Sequence, residues 1–72
     1  MIIAAKNRKF FINFDHIKTF YIQKAMDDTF GLIAYDGSRE YWLGYFYSDK
    51  DILPVIIDII NANHLQQLIF WL

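Results

Sequence analysis

The stretch Phe30-Gly31-Leu32-Ile33-Ala34-Tyr35-Asp36-Gly37-Ser38-Arg39-Glu40-Tyr41-Trp42-Leu43-Gly44-Tyr45-Phe46-Tyr47 decides the fold, and it reads as a β-hairpin. Aromatic and branched residues flank Asp36-Gly37, and an Asp-Gly pair supplies the positive φ angles that a tight hairpin turn requires. A strict period of two would put Leu43 with Tyr45 and strand Phe46 on the other face. A bulge at Gly44 returns Leu43 and Phe46 to one side.

Toward the N terminus, Lys9 to Phe14 alternates, with Phe10, Ile12 and Phe14 on one face and Lys9, Phe11 and Asn13 on the other. Met1 to Ala5 reads as an edge strand followed by an Asn7-Arg8 turn. Asp15-His16 is a bend, and Ile17 to Lys24 resumes as a strand rich in Thr19, Phe20, Tyr21 and Ile22. Ala25 to Asp28, with adjacent acids and no apolar period, is a loop. Beyond the hairpin, Ser48-Asp49-Lys50-Asp51 places side-chain oxygens where a helix start needs acceptors. The apolar residues Ile52, Val55, Ile56, Ile59 and Ile60 follow the spacing of a core-facing helix stripe, widened by Leu53 and Ile57. With Asp51 as the cap, Pro54 falls in the first turn, where its missing N–H does no harm. This predicts a helix over residues 51–61, ended by Asn61 and Asn63. The tail, Leu65 to Leu72, fits a helical stripe, but its unbroken Leu68 to Leu72 run reads better as a strand buried on both faces.

The chain has 72 residues, enough for one small domain over 1–72, and such a chain buries only about 60% of the surface it exposes unfolded. With no cysteine, disulfides and thiolate metal sites are unavailable, so packing must supply the stability. Apolar residues make up 56%, above a norm of about 45–50%, so a lone domain this small is expected to leave some of them exposed. Residues 1–24 carry five bases and one acid, and residues 25–72 two bases and seven acids, giving halves of +4 and −5. Such a dipole can steer a charged partner or pair with itself. Met1 to Ala5 is too short for a secretory core, and no apolar run approaches the roughly 20 residues of a membrane span. The expectation is a soluble cytoplasmic protein without membrane attachment.

Taken together, Ile12-Asn13-Phe14, the bend before Ile17, the hairpin, Leu43-Gly44-Tyr45-Phe46, the Ser48 to Asp51 helix start and the Ile-rich helix resemble a group of small uncharacterised proteins of Gram-positive bacteria and their phages. The resemblance covers roughly residues 10 to 61 and is carried by structural motifs. It implies a curved antiparallel sheet with a C-terminal helix, somewhat like a reduced pleckstrin-homology or GRAM-type roll, and no catalytic residue. The apolar Leu68-Ile69-Phe70-Trp71-Leu72 end departs from the polar turn and short strand of that group. The fold expected is α+β: a curved antiparallel sheet of about five strands, with a possible extra C-terminal strand, packed on one helix. Ile52, Val55, Ile56, Ile59 and Ile60 should meet Phe10, Ile12, Phe14, Ile33, Leu43 and Phe46.

No catalytic, cofactor-binding or metal-binding signature is present. Asp15-His16 are adjacent and point apart, and His64 suits the negative end of a helix better than chemistry. Their separation is not a metal-ligand spacing. Lys6, Arg8 and Lys9 beside Phe10 and Phe11 permit a nucleic-acid contact, with bases stacking on sheet aromatics. Near-neutral net charge argues against it, leaving it as the alternative. The apolar surplus favours a protein interface, and Phe11, Tyr45, Tyr47, Phe70 and Trp71 are the candidates, because aromatic rings bury large areas with little rotamer entropy lost. The function expected is a non-enzymatic, self-associating binding or regulatory module, most simply a homodimer, with a protein partner.

Overall fold

The computed structural model describes residues 1–72 and forms, in chain order, β1 (Ile2–Ala4), β2 (Phe11–Asn13), β3 (Thr19–Lys24), β4 (Phe30–Tyr35), β5 (Glu40–Phe46), α1 (Ile52–His64) and β6 (Ile69–Trp71). β4 and β5 are the expected hairpin, closed at Tyr35↔Glu40. Gly37 takes a φ of 103° in the turn. The Asp36 carboxylate accepts the Ser38 and Arg39 backbone N–H groups at 2.8 and 2.7 Å. The bulge is present: Leu32 pairs with Gly44 but Ile33 with Trp42, so Leu43 is the extra residue. Leu43 points inward at 1% exposure, and Phe46 packs against the same core.

β3 adds to β4 to give an antiparallel sheet of order β3-β4-β5. The expectation of one curved sheet of about five strands is corrected by the other three strands, which form a separate sheet of order β2-β1-β6. β1 is central in it, antiparallel to β2 and parallel to β6, rather than an edge strand. The tail is the reason. By pairing Ile3 with Phe70, β6 takes the side of β1 that β5 would need for a continuous sheet. A backbone bond from Lys6 N–H to the Leu43 carbonyl, 2.7 Å, joins the two sheets at their corner.

The core lies between both sheets and α1. Ile3, Ile12, Leu32, Ala34, Leu43, Ile52 and Ile59 form it, with Phe10, Phe14, Phe46, Val55, Ile56 and Phe70 packed around it. α1 buries Ile52, Ile59 and Ala62, so the stripe is rotated from the expected one and Ile60 is half exposed. Ile33 is fully buried but outside this cluster. On β4 it alternates with Leu32 and Ala34 and faces away from the helix. Ser48 Oγ accepts the Lys50 N–H at 3.2 Å and starts a 3₁₀ turn over Asp49–Asp51, and α1 continues from it with Pro54 in its first turn. The helix runs past residue 61 to His64. It ends where Gln66 turns left-handed (φ 60°), and the Gln66 and Gln67 N–H groups bond back to the Asn63 and Ala62 carbonyls, each at 3.0 Å. That is the bond pair of a Schellman stop, made here without glycine. No helix is long and apolar enough to cross a membrane.

Candidate interaction surface

The sheet period of two determines which side chains of β2-β1-β6 reach the outside. Ile3, Ile12 and Phe70 face the core, and their neighbours in each strand face out. Ala4 is flanked by Phe11 on one side and Trp71 on the other, and these rings meet edge to face at 6.2 Å. Ala4 itself is fully covered, while Phe11 and Trp71 remain 56% and 55% exposed, with Ile69 beside them at 44%. The Arg8 guanidinium lies 5.0 Å from the Trp71 ring centre, a cation–π contact at the rim.

Of the five interface residues expected, the structure therefore brings together two, Phe11 and Trp71. Phe70 turns inward and packs on the core. Tyr45 lies on the other sheet, where its ring stacks with Trp42 at 5.5 Å and 22°. Tyr47 follows β5, is 91% exposed and stacks on no other ring. The outer face of β3-β4-β5 is itself aromatic. Trp42 lies across Gly31, where a Cβ would overlap the indole. The Tyr21 hydroxyl donates to the Glu40 carboxylate. That bond, followed by desolvation and the Glu40 charge, pushes the Tyr21 pKa up to about 12. An open groove of about 820 Å³ runs beside Trp42 and Tyr45 toward the Met26–Asp28 turn.

The cations expected to meet nucleic acid are mostly engaged. Lys6 Nζ donates to the Tyr45 carbonyl at 3.2 Å and sits 4.3 Å from the Phe46 ring centre. Arg8 donates to the Ala5 carbonyl at 3.2 Å, leaving Lys9 as the cation without a side-chain contact. Asp15 and His16 lie in an exposed 3₁₀ turn over Phe14–His16, capped by the Asn13 side chain. His64 occupies the last turn of α1. No three His, Cys, Asp or Glu residues converge, and no polar or charged residue is buried.

One feature escaped the sequence reading. Ile22 on β3 is 38% exposed, and with Leu53, Pro54 and Ile57 of α1 it lines a second groove, of about 570 Å³, whose polar residues are Asp49, Lys50 and Asp58. Its signal was the widening of the helix stripe by Leu53 and Ile57, which read as extra core. Comparison with protein-family models, curated proteins and solved structures finds no match.

Proposed function

We propose that this chain is a non-enzymatic binding and regulatory module that associates with itself, and that its outer β2-β1-β6 face is where it docks on a partner protein. The observation that carries this reading is the Phe11–Trp71 pair: two large rings, each more than half exposed, meeting over a small residue with Ile69 alongside. A clustered apolar patch rimmed by a cation has the composition of a protein interface. The resemblance to small phage and bacterial proteins supports an accessory role in which the module blocks a host protein surface. Nucleic-acid contact through Lys6, Arg8 and Lys9 has less to rest on, because the first two cations are already spent on carbonyls and rings.

Sedimentation velocity across the micromolar range tests the first half, and capture from a host lysate tests the second. The wild type should sediment above the monomer and retain a partner that Phe11→Ser/Trp71→Ser releases with its circular dichroism unchanged. A monomer that retains nothing more than the double variant does would defeat the proposal.

A further inference from the structure

We infer that the second copy docks along the free edge of β3, over the groove between that strand and α1. The inference rests on the self-association reading and adds where the contact lies. Exposed edges are ordinarily guarded by shortness, by charged side chains and lysine above all, by proline, by a bulge or by a covering segment. β2 and β6 are three residues long, and the far edge of β5 is covered by Lys6, whose N–H and ammonium take the Leu43 and Tyr45 carbonyls. β3 is the least guarded edge: its six residues, Thr19–Lys24, contain no proline, the bulge of this sheet lies in the β4–β5 ladder, and its one charged residue, Lys24, stands at the end of the strand. Outside the ladder with β4, no backbone bond involves residues 19–24.

An open row of N–H and C=O groups takes an extended strand, and two features select a second β3. Charge is the first. The segment Lys18 to Lys24 carries two bases and no acid, and the groove it would cover holds Asp49 and Asp58 against Lys50. The basic N-terminal part of one copy thus meets the acidic C-terminal part of the other. Register is the second. Paired residues in an antiparallel ladder share a face, so a dyad normal to the sheet must centre on a residue. Centring on Tyr21 would set Lys18 against Lys24 of the second copy, a like-charge pair. Centring on Ile22 sets it against its own counterpart and Tyr21 against Gln23. The result is a six-stranded sheet continuous across the dyad, with Ile22, Leu53 and Ile57 of both copies closing one apolar seam.

The chain has no cysteine, so Ile22→Cys places a single thiol at the dyad. Directly opposed Cα atoms lie about 4.5–5.5 Å apart, within the span of a disulfide. Mild oxidation should link Ile22→Cys into dimers and leave Phe11→Cys unlinked. In sedimentation, Ile22→Lys should weaken the dimer by about tenfold or more. Leu53→Lys, altered on the helix side of the seam, should do the same. A wild-type dimer that survives both lysine variants and gives no Ile22→Cys cross-link overturns this docking mode while leaving self-association intact. A wild type that never leaves the monomer overturns both.

Discussion

At Gly31 the absence of one methyl group sets the position of the largest ring on the outer face, because Trp42 occupies the space where a Cβ would be. Gly31→Ala must push the indole off the sheet and uncover Ile33, which pairs with Trp42 and is fully buried. The expected loss is about 1–3 kcal/mol, read by urea titration together with a red shift of tryptophan emission. Asp36 carries the turn. Its carboxyl is held below the usual range first by the Arg39 backbone N–H, then by that of Ser38, with the Tyr41 hydroxyl and the Arg39 charge adding to this. A depressed folded pKa stabilises above the unfolded value, about 4, and the contribution is lost as pH falls through the folded one. Denaturant midpoints should therefore fall more steeply for the wild type than for Asp36→Asn below about pH 4; parallel curves would remove Asp36 from that role. The turn glycine, Gly37, was legible because its chemistry is local, although the turn centres on Gly37-Ser38, with Asp36 bonded across it to Arg39 rather than taking a positive φ itself. The left-handed residues Arg8, Asp27, Asp28 and Gln66 were not, since none is glycine; they lie in exposed turns closed by the backbone bonds Arg8 N–H to Ala5, Thr29 N–H to Met26 and Gln66 N–H to Asn63.

Among the elements, α1 shows how far a hydrophobic stripe can be read. The period located the helix, but leucine and isoleucine on nearly every face left its rotation open, and contact with two sheets fixed it on Ile52, Ile59 and Ala62. Ile59→Ala should cost about 2–5 kcal/mol, whereas Ile60→Ala, at a half-exposed position, should cost much less. Equal midpoints in guanidinium for the two variants would contradict this orientation. The bulge in β5 was legible from Leu43-Gly44-Tyr45-Phe46 because a two-residue period has only one simple repair. β3 was legible as a strand from Thr19, Phe20, Tyr21 and Ile22, yet most of it is exposed, since it is the outer strand of its sheet and α1 leaves Ile22 uncovered. The aromatic candidates divided for the same reason. Phe70 and Trp71 are neighbours in sequence, and a strand sends neighbours to opposite faces.

Across the whole molecule, the division into two sheets was the feature least available to sequence reading. Local patterns name strands, but the choice of neighbour for β1 was a competition between β5 and β6 that no local pattern records. The parallel pairing of Ile2–Ala4 with Ile69–Trp71 settled it, and this pairing is the most distant in sequence of all the ladders. Closing so long a loop is entropically the most expensive step of assembly and gives nothing back until α1 is in place. The same pairing holds both ends of the chain on adjacent strands, one strand length apart: the Leu72 N–H bonds to the Ala4 carbonyl at 3.2 Å and the Ile2 N–H to the Leu68 carbonyl at 2.8 Å. A circular permutant follows from this. Residues 1 and 72 bridged by a glycine-serine linker of about a dozen residues, long enough for the return crossover that a parallel pair needs, with new ends opened between Gly37 and Ser38, would turn the farthest strand contact into a much more local one. Stopped-flow refolding should then be faster than for the natural order, and the unfolding rate should change little, because the rearranged chain reaches the same packing by a shorter route.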